Sequence, residues 1–357
     1  SGFYQSLSSN RLHPKFRHNY TPKGLLCRDC FVFIDASINK NVTHRSLSMN
    51  LKYSLSALAL FAATSAMAEG QCDKVTFSDV GWTDITATTA ATTTVLEALG
   101  YETDTKILSV PVTYTAMAQG DIDVFLGNWM PTMEADIAPY REAGTVDTVR
   151  ENLEGAKYTL AVNKAAMDMG IKDFADIAQH AEHLDGKIYG IEPGNDGNRL
   201  IQTMIDSDAF SLSGFEVAES SEQGMLSQVE RATKKGEPIV FLGWEPHPMN
   251  ANFEMGYLTG GDDFFGPDLG GATIYTNTRA GYVTECANVG ALLSNLKFTL
   301  AMENEIMGAI LNDGTDPKEA AASWLKANPD LAMAWINGVT TKDGGDAAAA
   351  LKSALGL

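Results

Sequence analysis

The sequence predicts an α/β protein built as two lobes with a ligand cleft between them. Three observations carry that expectation. Short apolar strand runs alternate with helical patterns along most of the chain, which gives sheets whose faces are covered by helices. The length of 357 residues exceeds what one hydrophobic core organises. Three of the five tryptophans fall where strand patterns end, in GWTD (81–84), GNWMP (127–131) and LGWEP (242–246), and strand ends in an open α/β sheet face the crevice where ligands bind.

Taken in order, the first lobe opens with a buried strand over 74–80 and a Thr/Ala-rich helix over 84–99. A strand over 103–109, a helix over 112–119 and a strand over 124–128 follow. Strands over 158–162, 187–191, 215–218 and 239–242 read as a second sheet. Helices over 174–183, 198–206 and 223–235 lie between them. A glycine-rich stretch leads to a last strand over 273–276. Helices over 285–296, 302–311, 317–327 and 346–355 then finish the chain. The alternation predicts mostly parallel sheets. The helical tail makes the first lobe discontinuous, 69–154 plus 269–357, with 155–268 as the second lobe. Two crossings between lobes form a hinge around an enclosed ligand.

The N-terminus has a different character. Residues 1–48 hold seven Lys/Arg against two acids with no apolar periodicity, and read as sequence upstream of the functional start. Met49 then opens a signal-peptide pattern over 49–68: Lys52, an apolar run over 55–63 and the small-x-small site Ala66-Met67-Ala68. That run is too short to span a bilayer. The expected mature chain begins near Glu69 and is exported to the periplasm.

The whole chain carries 26 Lys/Arg against 45 Asp/Glu, a formal charge of −19. Because the basic residues cluster in the leader, the mature part is more acidic still, which argues against nucleic acid or an anionic membrane as partner. Cys27 and Cys30 form a lone CxxC in the leader, with no second pair to build a zinc site. Cys72 and Cys286 remain in the exported part, where a single disulfide is expected. The residues before Cys72 lack the pattern of a lipid-anchored cysteine. No metal and no cofactor are expected.

Trp82, Trp129, Tyr158 and Trp244 are the candidate site. Aromatic faces converging on a crevice suit a cation that cannot donate hydrogen bonds, such as a quaternary ammonium. Trp324 and Trp335 lie on amphipathic C-terminal helices and read as core. Asp84 is placed both to cap the helix it begins and to face the site. Asn195, in the turn PGNDG (193–197), is a natural cap whose amide can also meet a ligand hydroxyl. Glu245 and His247 read as scaffold of the turn after Trp244.

The segments GWTD, LGNWMPTM (126–133), AKYTLAV (156–162), EPGNDGN (192–198) and FLGWEPHPMN (241–250) resemble the choline-binding substrate-binding proteins of ABC transporters, relatives of the glycine betaine and proline betaine binders. The resemblance spans essentially the whole mature chain. It implies a type II periplasmic binding fold with Venus-flytrap closure. It also implies an aromatic box of Trp82, Trp129, Tyr158 and Trp244, with Asp84 and Asn195 as polar members, and a Cys72–Cys286 disulfide. The implied partners are a membrane permease and an ATPase, and the implied state is a monomer.

Asp84 favours choline over a betaine, whose carboxylate it would repel. No Lys or Arg occurs in the three tryptophan segments. Acetylcholine, a betaine carrier and a receptor presenting ligand to a sensor are the alternatives within the binding class. A choline esterase is the alternative outside it. The mature chain offers His180, His183 and His247 but no GxSxG elbow, so the protein is expected not to be an enzyme. The absence of a GxxxxGK[ST] segment places any nucleotide hydrolysis in a separate subunit.

Overall fold

The computed structural model describes residues 72–357. The upstream segment 1–48, the expected signal peptide 49–68 and the expected mature start at Glu69 lie outside the described residues. Among these residues nine strands form a single mixed sheet: β1 (Lys74–Asp79), β2 (Glu102–Ile107), β3 (Val124–Met130), β4 (Val146–Asn163), β5 (Lys187–Tyr189), β6 (Glu216–Ala218), β7 (Val240–Glu245), β8 (Met255–Tyr257) and β9 (Gly271–Arg279). Their order is β2-β1-β3-β9-β4-β7-β5-β6, with β8 paired to β4.

The expectation of mostly parallel sheets is corrected here. The two wings are parallel, β2-β1-β3 on one side and β7-β5-β6 on the other. The centre is antiparallel, because β4 pairs with β9, β7 and β8 in that sense and β9 pairs with β3. The reason is the connection: the chain crosses out of one wing on β4 and returns on β9, and two strands crossing in opposite directions must pair antiparallel. β4 changes partners at Lys157, which stands opposite Gly271 of β9 and Glu245 of β7. The partner change at Lys157 lies between the two wings.

Helix α1 (Thr83–Ala98) packs between β1, β3 and the C-terminal helices, and twelve of its sixteen residues are buried. A helix of Thr and Ala can sit there because small side chains allow close approach. The buried hydroxyls of Thr88, Thr92 and Thr93 also donate to carbonyls one turn back. In the C-terminal region Trp335 is fully buried and donates its indole N–H to the Lys297 carbonyl. Trp324 departs from the core reading: it is only partly buried, with its indole bonded to Glu305. Cys72 and Cys286 are joined, with Cα atoms 5.4 Å apart, so the entry to β1 is tied to the segment after β9. No described helix is long and apolar enough to cross a membrane.

Candidate ligand site

The strands carrying the aromatic residues run two or three residues further than the sequence pattern shows. Trp129 and Trp244 therefore lie within the last turns of β3 and β7 rather than after them. Each is followed by a cis X-Pro peptide one residue on, Met130–Pro131 and Glu245–Pro246. Tyr158 of β4 stands directly opposite Trp244 of β7, so the two rings share one face of the sheet. Trp82 precedes α1, at the exit of β1.

These residues meet. Trp82, Asp84, Trp129, Tyr158, Asn195 and Trp244 line one small pocket of about 20 Å³, together with Ile191 and Asp196. Tyr158 is the hub: its ring centroid lies 6.0 Å from Trp129 and 6.3 Å from Trp244, at interplanar angles of 62° and 80°. Both pairs meet edge to face rather than stacked. Trp129 comes from β3 and Trp82 from the start of α1, whereas Tyr158 and Trp244 come from β4 and β7.

Hydrogen bonds orient the rings. The Trp82 indole donates to Glu192 Oε1 at 2.9 Å across the cleft. The Trp129 indole donates to Asp84 Oδ2 at 3.1 Å. The Tyr158 hydroxyl donates to Asn195 Oδ1 at 2.9 Å. Asn195 caps helix α2 (Asp196–Asp206), its Oδ1 also accepting from the Asn198 amide at 3.1 Å. Its Nδ2 donates once, to Asp196 Oδ1, so the second amide hydrogen is available to a ligand. Asp84 does not cap α1. The N-cap position is Trp82, and the amide of Thr83 is instead taken by Glu222, far away in sequence. Asp84 Oδ1 is buried with no hydrogen-bond partner among the described residues.

The site is rich in acid and poor in base. Burial, reinforced by the charge of Glu222, raises the Asp84 carboxyl to about 8. Burial likewise raises Glu192 to about 7 and Asp196 to about 6. A buried carboxyl held neutral in an apolar cage ionises readily once a cation arrives beside it. The basic side chains next in sequence to the site segments are already committed: Lys157 pairs with Glu245 at 2.9 Å and Arg199 with Asp136 at 2.5 Å. Neither lines the cavity. His247, read from the sequence as scaffold, is buried behind Trp244 with ring centroids 4.9 Å apart.

Sequence reasoning missed Ile191, Asp196, Glu192 and Glu222. Ile191 directly precedes the quoted EPGNDGN segment and Glu192 and Asp196 lie within it, so nearness to Asn195 was the available signal. Glu222 stands 139 residues from its partner Thr83, and nothing local marks it.

Residues 73–327 match the OpuAC family model, described as the substrate binding domain of ABC-type glycine betaine transport system. A solved ABC-transporter choline binding protein in complex with choline is 71% identical, with a TM-score of 0.80, over 80% of this chain and 99% of that one. An ABC-transporter choline binding protein in an unliganded semi-closed conformation is also 71% identical, with a TM-score of 0.75, over 80% of this chain and 100% of that one. The glycine betaine/carnitine transport binding protein GbuC of Listeria monocytogenes serotype 1/2a is 31% identical over 186 residues, 52% of this chain and 57% of that protein.

Proposed function

The chain belongs to the family of substrate-binding domains of ABC-type glycine betaine transport systems, and from that membership we propose that it captures choline outside the cytoplasm and delivers it to a membrane permease served by an ATPase subunit. The single observation that carries the choice of ligand is the cavity lining: three indoles, one phenol and carboxyl side chains, with no Lys or Arg among them. An onium ion with a neutral tail is what such a lining accommodates. Each desolvated cation–π contact contributes about 2 kcal/mol, and Asp84 adds a charge that choline neutralises. A betaine would bring a carboxylate into the same space, where Asp84 and Asp196 repel it and no cation receives it.

In this reading Trp82, Trp129, Tyr158 and Trp244 enclose the trimethylammonium group, Asp84 supplies its counter-charge, and the free Nδ2 hydrogen of Asn195 meets the hydroxyl. The first lobe is 69–154 with 269–357 and the second is 155–268. Ligand held by one lobe recruits the other and shifts the equilibrium toward the closed form. The Cys72–Cys286 bond suits an exported protein acting as a monomer, with residues 49–68 as its signal peptide. Binding rather than catalysis follows from the commitments of His247, whose two ring nitrogens face Glu222 and the Met249 amide instead of the cavity.

Calorimetric titration of the chain from Glu69, freed of co-purified ligand, tests the proposal against choline, tetramethylammonium, acetylcholine, glycine betaine and carnitine. Choline is expected to bind in the micromolar range, about −8 kcal/mol, and more tightly than glycine betaine. Tighter binding of the betaine would overturn the assignment. Equal effects of Asn195→Ala on choline and tetramethylammonium would remove Asn195 from the hydroxyl contact.

A further inference from the structure

One buried carboxylate outside the cavity touches both lobes. Glu222 is the first residue of helix α3 (Glu222–Lys235) in the second lobe, and its side chain is fully buried. Its Oε2 accepts the Thr83 backbone N–H at 2.8 Å, and its Oε1 accepts the Thr83 hydroxyl. The imidazole of His247 stands 3.2 Å from the same Oε1 through Nε2. His247 Nδ1 accepts from the Met249 amide at 2.9 Å, which leaves the ring proton on Nε2, pointing at Glu222.

Thr83 lies between Trp82 and Asp84, and His247 backs Trp244. The carboxylate therefore joins the support of the first lobe's site residues to the support of the second lobe's. It also takes the place of an N-cap on α1, where helix termini favour negative charge. Separating the lobes removes two of its three donors at once.

We propose that Glu222 is a positioning residue for ligand capture, a clasp that holds Thr83 and His247 together only when the lobes are closed and so sets how long the ligand is retained. This rests on the two-lobed closure described above. Charge-assisted hydrogen bonds to a buried carboxylate are strong, and a lone carboxylate is costly to bury. The contribution therefore falls on the closed state and its opening rate.

The test is stopped-flow and calorimetric choline binding with the wild type, Glu222→Gln, Thr83→Ala and the double variant, alongside thermal unfolding of the unliganded proteins. Glu222→Gln keeps the shape but turns a donor toward Thr83 and His247. The clasp predicts affinity loss of about tenfold or more for Glu222→Gln, carried by faster dissociation with association nearly unchanged. It further predicts a double variant no weaker than the worse single one, and unliganded melting temperatures close to wild type. Unchanged dissociation, additive losses, or lowered unliganded stability with affinity intact would each overturn it. Failure of the wild type to bind choline would refute the choice of ligand separately. The clasp is then read from spin labels, one on each lobe of the unliganded protein, where Glu222→Gln is expected to shift the distances toward the open form; an unchanged distribution would overturn it.

Discussion

The Trp129 indole donates its N–H to Oδ2 of Asp84 at 3.1 Å, while Oδ1 of the same carboxyl is buried without a partner among the described residues. One oxygen fixes the ring, and the residue lines a pocket whose lining has no basic side chain. The carboxyl, raised to about 8 by burial and then by Glu222, favours its protonated form in the cation-free site. Under the proposed function an onium ligand would replace that proton.

The sign of the pH dependence follows. A carboxyl whose pKa is higher folded than unfolded contributes stability at low pH that is lost as pH rises through the folded value. The closed, cation-free form should thus lose stability between about pH 4 and pH 8, and choline should raise the melting temperature more at pH 8 than at pH 5.5. Glu192 and Asp196 are raised in the same direction. The difference between wild type and Asp84→Asn isolates the share of Asp84, and fluorimetric melting at several pH values reads it. A choline-induced shift independent of pH in the wild type would contradict the argument.

Trp82 and Trp244 contribute similar rings but unequal attachments. The Trp82 indole also bonds Glu192 across the cleft at 2.9 Å, so replacing it by Phe strands a largely buried carboxyl as well as shrinking a π face. Trp244→Phe only shrinks the face. The expected loss is about tenfold or more for Trp82→Phe, from the hydrogen bond to an acidic group, and distinctly smaller for Trp244→Phe. Equal losses in calorimetry would show that the Glu192 contact adds nothing to binding.

Much of the site could be read from sequence because each member sits in a short segment with its own local logic. Trp82, Trp129 and Trp244 mark strand exits, and Asn195 fills a cap that turn chemistry demands. The first half of β4 was missed because 146–157 alternates charged and polar residues and lies partly exposed against β9, so no apolar pattern betrays it. The helix at Glu134–Glu142 escaped for a related reason, with Pro139 inside it and only Ile137 buried. Parallel wings were predicted correctly, yet the antiparallel centre depends on two strands far apart in sequence. Glu222 is the extreme case. Its meaning resides entirely in Thr83 and His247, and no local pattern encodes a partner in another lobe.

The Cys72–Cys286 bond closes a loop of 214 residues. Loop-entropy arguments assign such a cross-link about 5 kcal/mol of stability. Neither cysteine lines the cavity. Reduction, or the Cys72→Ser/Cys286→Ser pair, should therefore lower the urea midpoint sharply while leaving choline affinity nearly unchanged. Loss of affinity at temperatures where the reduced protein is still folded would mean that the bond shapes the site.

Gly197 gives the sharpest test of the Tyr158 placement. It is the second residue of α2, where alanine would favour the helix on intrinsic grounds. A Cβ there, however, would come within 2.1 Å of the Tyr158 hydroxyl oxygen, 2.8 Å of its ring carbon and 3.0 Å of Leu242. The phenol is also tied to Asn195 at 2.9 Å, so it cannot swing aside without giving up that bond. Overpacking of this kind costs roughly 1–3 kcal/mol, and here the strain falls on the hub of the aromatic cluster. Gly197→Ala should weaken choline and tetramethylammonium together, because the shared onium cage is displaced and the hydroxyl contact is not the target. Removing the offending oxygen with Tyr158→Phe in the Gly197→Ala background should restore part of the affinity, an unusual outcome for deletion of a site hydroxyl. If the double variant binds no better than Gly197→Ala alone, the ring of Tyr158 is not where ligand meets the second lobe.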